Sequence, residues 1–207
     1  MYRELKIWAS LKDRGFVQFK STWHEKADKL TLEQLRKGMT DEHMDVDEVP
    51  RENCFVVYLQ MELCSFSLDV ALTKIKEYFN MDNKRWFYHL GYYILSELFI
   101  EILEAIEYLH SRSIIHRCIK PKNILIKHYS GSKFIKIGDF GLAVLHTEGR
   151  SRTLLSDSGE EYRAPEVIRA NNLEGGGNVG RTVYTTQSDV YSLGILAQKM
   201  FNININK

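Results

Sequence analysis

Apolar residues along the chain first recur at helical spacing. In YRELKIWASLK, Leu5, Trp8 and Leu11 fall on one side, which predicts a helix over residues 2–12. GFVQFKSTW, residues 15–23, reads as a strand. CFVVYLQMEL, residues 54–63, is dense in β-branched and aromatic side chains and predicts a buried strand. Helices are predicted over 68–79 and, much longer, over about 85–111. The run from Leu90 to His110 is apolar enough to suggest a membrane span. Glu97, Glu101, Glu104 and Glu107, however, recur every three or four residues and line one face, while Leu95, Leu98, Ile102, Ile106 and Leu109 occupy the other. A charge at mid-bilayer costs about 2.5–3.5 kcal/mol, and four would sum, so the run predicts an amphipathic helix against a protein core. NILI (123–126) and FIKI (134–137), joined by the polar HYSGSK, predict a hairpin. DVYSLGILAQKMF, residues 189–201, predicts a helix capped by Ser188 or Asp189.

One segment breaks the pattern. Residues 24–53 are crowded with charge, poor in large apolar side chains, and carry Pro50 near their end. They read as a surface insert with one helical piece at LTLEQLRK.

Composition narrows the class. The chain has 207 residues, of which 44% are hydrophobic, enough for a real core. A net charge of +1 gives no reason to expect nucleic acid or an acidic membrane as partner. Cys54, Cys64 and Cys118 are scattered and lack metal-ligand spacing, which suits reduced thiols inside a cell. The charged amino-terminal stretch lacks a cleavage site, so no secretory signal is expected.

Three motifs stand in one order: HRCIKPKN at 116–123, DFG at 139–141, and APE at 164–166 followed by SDVYSLG at 188–194. A lone DFG is weak, whereas the ordered set is specific. On these motifs the chain resembles the protein kinase family. Phosphoryl transfer explains the residue types, because it needs little covalent help and much electrostatic positioning. The resemblance implies that Lys120 matches the phosphate-steadying lysine, and that Asn123 and Asp139 match the magnesium ligands. It likewise makes His116 the packing histidine and Arg117 the arginine that often meets an activation-loop phosphate, with Ser151, Thr153, Ser156 and Ser158 as acceptors. Asp189 is expected to tie down the backbone of the catalytic loop.

Cys118 stands where the family has an aspartate base. General-base catalysis is worth about 10²–10⁴-fold, so this change alone leaves a slow kinase. Glu160 replaces the usual threonine of the substrate-facing loop. Glu4 matches the helix glutamate that pairs with a lysine in kinases, but that lysine strand and the glycine-rich loop are not found ahead of it. Losing transition-state contacts costs about 10²–10³-fold each. The expectation is a pseudokinase that needs no cofactor and keeps at most residual affinity for ATP and magnesium. Its expected fold is α+β, a partial kinase fold with an amino-terminal lobe remnant (1–64) and a truncated helical lobe (65–207). Glu166 lacks the later arginine it meets in kinases, which leaves its role open.

The flanks narrow the resemblance. RELKIWASLKDRGFVQFKSTW, a charged insert and VYLQMELC resemble the kinases that phosphorylate eukaryotic initiation factor 2 alpha. The match makes Met61 the gatekeeper and residues 62–64, including Glu62 and Cys64, the hinge against a nucleotide. A shortened body of this kind resembles the baculovirus inhibitors of those kinases, which implies an inhibitor in the cytoplasm of an infected host cell. The expected partner is the amino-terminal lobe of such a host kinase. It would meet the open edge of the 54–63 strand, where Phe55, Val57 and Leu59 alternate with Val56 and Tyr58, together with Glu4 and Trp8 of the first helix. Mimicry of the kinase dimer and decoy binding of the substrate rank behind. The competing expectation is an active kinase fragment, or a half-enzyme completed by a partner.

Overall fold

The structure, a computed structural model, describes residues 2–26, 55–79, 85–129, 132–140, 143–145, 160–172 and 184–202. Most of the charged insert, Cys54, and Ser151, Thr153, Ser156 and Ser158 lie outside these residues.

The chain opens with helix α1 (Tyr2–Ser10) and strand β1 (Phe19–Lys26). Strand β2 (Phe55–Met61) and the short β3 (Phe66–Ser67) lead into helix α2 (Leu68–Phe79). Helix α3 (Arg85–Ser111) follows, then β4 (Ile114–Ile115), β5 (Ile124–Tyr129), β6 (Ser132–Ile137) and β7 (Val144–Leu145). Helices α4 (Pro165–Asn172) and α5 (Thr186–Phe201) complete it. This is the α+β content expected.

Helix α3 is the spine. Leu95, Leu98, Ile102, Ala105, Ile106 and Leu109 are buried along one side, and Glu97, Glu104 and Glu107 are exposed on the other, as the spacing requires. Glu101 is half-buried and accepts a hydrogen bond from the backbone of Ile135 at 2.9 Å, fixing the hairpin to the helix. Among the described residues no helix is long and apolar enough to cross a membrane.

The predicted β5–β6 hairpin forms, with Ile124 opposite Ile137 and Ile126 opposite Ile135. These four isoleucines are buried, so one face of the hairpin enters the core. The other face carries Leu125, Lys127, Phe134 and Lys136.

Three expectations need correction. The strand predicted over 15–23 begins only at Phe19. Residues 15–17 instead clasp the end of β6, through Ile137 N–H to Gly15 O (2.7 Å) and Val17 N–H to Ile137 O (2.9 Å). A side chain at Gly15 would come within 3.1 Å of the Ala105 Cβ on α3, so the close approach itself calls for glycine. Strand β2 is not buried. Among the described residues it pairs only with β1, and Phe55 is 61% exposed, because no described layer covers the far face of this two-stranded sheet. Neither Ser188 nor Asp189 caps α5. Thr185 takes the cap position without a side-chain hydrogen bond, and Ser188 and Asp189 lie buried within the first turn.

Candidate functional site

The site is built where the loop after β4 meets the end of β6. Strand β4 is held by β7, with Ile114 opposite Leu145 and Ile115 opposite Val144. The loop then passes through His116, Arg117 and Cys118 to a tight turn at Pro121–Asn123, where Asn123 N–H reaches Lys120 O at 2.9 Å. Gly138 N–H donates to Asn123 O, also at 2.9 Å, and this brings Asp139 alongside.

Asp189 holds the first half of this loop. Its carboxylate is fully buried and accepts the backbone N–H groups of His116 (2.9 Å) and Arg117 (2.8 Å). His110, at the end of α3, places Nε2 at 2.8 Å from the same carboxylate. The expected anchoring role of Asp189 therefore has its geometry, and His110 joins it. Arg117 sits at φ 71 and Asp139 at φ 59, both in the left-handed region. Such residues cost about 1–3 kcal/mol each and persist only where their surroundings over-determine them. The two bonds from Asp189 supply that constraint at Arg117.

His116 is buried, with Nε2 at 3.0 Å from Gly138 O and its ring edge-on to Phe140. Burial holds its pKa below the ordinary value, against the pull of Asp189, so it packs as a neutral ring. Arg117 is buried too, and its guanidinium stacks on Tyr184 at 3.8 Å.

Cys118, Asn123 and Asp139 converge. Asn123 Nδ2 lies 2.9 Å from Asp139 Oδ2, 3.0 Å from Cys118 Sγ and 2.9 Å from Cys118 O. Cys118 Sγ lies 3.8 Å from Asp139 Oδ2. Burial, and next the negative Asp139, push the thiol pKa above its ordinary value; Lys120 pulls the other way without prevailing. A proton-accepting thiolate is thus disfavoured where the family keeps a carboxylate.

Asn123 and Asp139 also close one end of a cavity of about 450 Å³. Its walls include Leu5, Trp8, Val17, Leu59, Met61 and Phe140. An apolar wall ending in an amide and a carboxylate fits a nucleotide with magnesium, which takes one or two protein oxygens and completes its shell from phosphates and water. Asn123 and Asp139 would hold that ion, which supplies charge neutralisation for the phosphates. Glu62 and Cys64 do not line the cavity. The Glu62 carboxylate points to the far side, where it pairs with Lys127 and, at 3.1 Å, with Lys136, and accepts Gln18 N–H at 3.1 Å. Burial raises its pKa, but the three donors outweigh that and hold it below the usual value. Cys64 packs against the core, with its thiol pKa raised by burial.

The expected partner-facing residues divide. Phe55, Val57 and Leu59 lie on β2, and Phe55 and Leu59 are exposed. Trp8 is not a surface residue. It is 5% exposed, stacks with Phe140 at 5.9 Å, and donates Nε1–H to Val17 O at 2.6 Å, so it belongs to the core beneath the cavity. Glu4 lies in α1, and its side chain is outside what the structure describes. The Glu160–Tyr162 turn is anchored by Ser192 Oγ–H to Tyr162 O at 2.7 Å. Sequence reasoning missed the stacking of Arg117 on Tyr184 and the lysine pair on Glu62. The second was signalled by Lys127 and Lys136 sharing the face of the hairpin opposite to Ile124, Ile126, Ile135 and Ile137.

Comparison with known proteins bears on this arrangement. The family model for the protein kinase domain matches residues 1–205. The chain belongs to the protein kinase domain family. The interferon-induced, double-stranded RNA-activated protein kinase of Rattus norvegicus is 28% identical over 203 residues, 97% of this chain and 33% of its own length. Serine/threonine-protein kinase 33 of Bos taurus is 30% identical over 174 residues, 78% of this chain and 30% of its own. The probable serine/threonine-protein kinase fhkD of Dictyostelium discoideum is 46% identical over 103 residues, 48% of this chain and 14% of its own. This kinase domain thus spans a third or less of the length of these curated relatives.

Proposed function

We propose that this kinase domain acts by contact and not by turnover. It is a catalytically inactive kinase mimic that binds and inhibits host kinases phosphorylating eukaryotic initiation factor 2 alpha, and so sustains translation during viral infection. In this reading it resembles the baculovirus inhibitors of those kinases and acts in the cytoplasm. The observation that carries the reading is Cys118. A half-buried thiol with a raised pKa stands where a base must accept the hydroxyl proton, while Asp189, His116 and Asn123 keep the loop in shape. Geometry retained without the base suits a surface used for recognition. The second edge of β2, which no strand among the described residues pairs, with Phe55 and Leu59 exposed beside it, suits a partner that adds a strand. The amino-terminal lobe of the target kinase is such a partner. The reach of the rat relative along 97% of this chain supports a target of similar architecture. Contact needs neither ATP nor magnesium.

A second reading is an active kinase, alone or completed by a partner. It is favoured by the convergence of Asn123 and Asp139 on one cavity and by relatives that are all named as kinases. One experiment separates the two. The protein is added in a dose series to a purified host initiation-factor kinase with magnesium, ATP and the alpha subunit. Dose-dependent loss of phosphate on the subunit, with none incorporated when this chain is alone, supports inhibition. Incorporation by this chain alone overturns it. Cys118→Asp should leave inhibition unchanged and still yield no activity.

A further inference from the structure

We infer that a second copy of this chain adds its own β2 to the second edge of β2, antiparallel and about a two-fold axis at Tyr58, so that two small sheets join into one of four strands. The inference uses the same edge as the proposed function, and makes self-pairing a competitor for it, but it does not depend on inhibition.

The main chain sets the geometry. Glu62 N–H, just past β2, bonds Gln18 O at 2.8 Å, and Thr22 Oγ1–H reaches Tyr58 O at 2.9 Å, so the even-numbered residues turn their N–H and C=O groups toward β1. Alternation then turns those of Phe55, Val57, Leu59 and Met61 outward, where no strand among the described residues meets them. A two-fold axis at Tyr58 sets Val57 of one copy opposite Leu59 of the other, and Phe55 opposite Met61, each as a hydrogen-bonded pair. Tyr58 then faces its own counterpart as the closer, non-hydrogen-bonded pair, with Cα atoms ~4.5 Å apart. At its Met61 end β2 passes into Glu62, which is clamped to the hairpin of the larger body. The two larger bodies therefore lie toward opposite ends of the joined sheet.

Side-chain chemistry selects a second copy as the occupant. Natural edge strands are guarded against such pairing by charge, proline or a bulge. The β2 sequence FVVYLQM holds neither charge nor proline, and the register shift of this sheet falls in β1. Strand β1, by contrast, carries Lys20, Glu25 and Lys26. In the two-fold register every cross-strand pair on one face is apolar, Phe55 with Met61 and Val57 with Leu59, and such pairs are what stabilise a sheet. Leu59 and Met61 also wall the cavity of about 450 Å³, so the second copy sets its Val57 and Phe55 beside that wall. On the other face Tyr58 is already stacked on Trp23, with ring centroids 5.2 Å apart and planes 10° from parallel. Meeting the second Tyr58 there gathers four aromatic rings. No like charges come opposite each other anywhere along the paired strands.

Sedimentation equilibrium of the whole chain, with no kinase present, tests this. One strand edge offers less contact than the ~800 Å² per partner of a standard stable interface, so a reversible dimer is expected, mostly monomer near ~5 μM and mostly dimer near ~500 μM. Tyr58→Lys sets two like charges directly opposite and should weaken the dimer at least tenfold. Tyr58→Glu should do the same, and mixing the two variants should restore a one-to-one dimer. A parent chain that stays monomeric over that range, or a Tyr58→Lys chain that dimerises as the parent does, overturns the inference. Should the variants fold poorly, amide hydrogen exchange of the unmutated chain decides. Between the dilute and the concentrated sample the amides of Val57 and Leu59 should gain at least tenfold protection, while that of Tyr58, already turned to β1, stays unchanged. Equal exchange in both samples, or a gain at Tyr58 matching that at Val57 and Leu59, overturns the inference. A monomeric chain that inhibits in the dose series overturns self-pairing alone, and a dimer that does not inhibit overturns the proposed function alone.

Discussion

Replacing Asp189 tests the frame of the site most directly. In Asp189→Ala, the N–H groups of His116 and Arg117 lose acceptors at 2.9 and 2.8 Å in a fully buried setting, and His110 loses its partner at 2.8 Å. An orphaned buried donor costs about 1–3 kcal/mol, and removing one member of a buried charged network costs about 3–5 kcal/mol. Arg117 would also be left at φ 71 without the bond that holds it there. A loss of about 3–5 kcal/mol is therefore expected, equivalent to a melting shift of roughly 6–20 °C in a chain of this size. Asp189→Asn keeps one acceptor oxygen and should lose about 1–3 kcal/mol. Urea unfolding followed by circular dichroism gives the magnitude. Amide hydrogen exchange at His116 and Arg117 shows whether the loss is local to the loop, since both amides should lose protection first. A shift below about 2 °C for Asp189→Ala, with those amides still protected, would refute the reasoning.

Three further outcomes are expected. Glu62 has its pKa lowered on folding, so its contribution to stability is present above the unfolded value near 4.5 and lost as pH falls below it. The difference in urea midpoint between the parent and Glu62→Gln should accordingly be largest near pH 6 and shrink below pH 4.5. Leu59→Asp places a charge on a side chain that is 42% exposed, so the melting temperature should hold within about 2 °C while inhibition of the initiation-factor kinase weakens at least tenfold, measured by the dose series. Trp8→Phe removes the indole donor that bonds Val17 O at 2.6 Å inside the core, and should cost about 1–3 kcal/mol in urea unfolding.

Periodicity carried most of the fold. Helix α3 is legible because its glutamates and its leucines and isoleucines separate cleanly at 3.6-residue spacing. The hairpin is legible because Ile124, Ile126, Ile135 and Ile137 alternate. The motif order placed Cys118, Asn123 and Asp139 in one site, and the structure brings them within 3.8 Å of one another. What failed was whatever depends on the neighbouring layer. The β2 sequence promises burial, yet whether a strand is covered depends on what packs over its sheet, which its own residues do not encode. Trp8 belongs to a helical stripe that contacts a partner and a core equally well by spacing, and only the position of Phe140 and Val17 decides. Ser188 and Asp189 have cap chemistry, but Asp189 is drawn inward by two distant N–H groups, and the helix starts one turn earlier. Glu62 reads as part of a nucleotide hinge until the two lysines on the hairpin claim its carboxylate.

The grip of Lys127 and Lys136 on Glu62 reaches beyond stability. Glu62 follows the last residue of β2, and it also takes the N–H of Gln18 just before β1 begins. One carboxylate thus rivets the start of one strand and the end of the other to the hairpin of the larger body. The small sheet is held at a set angle before anything meets it. A partner strand of the kind proposed would find an edge already aimed, so the cost of ordering the small sheet would fall on folding and not on association. Loosening this rivet should leave the contact surface chemically intact and still slow capture, separating the rate of recognition from its chemistry.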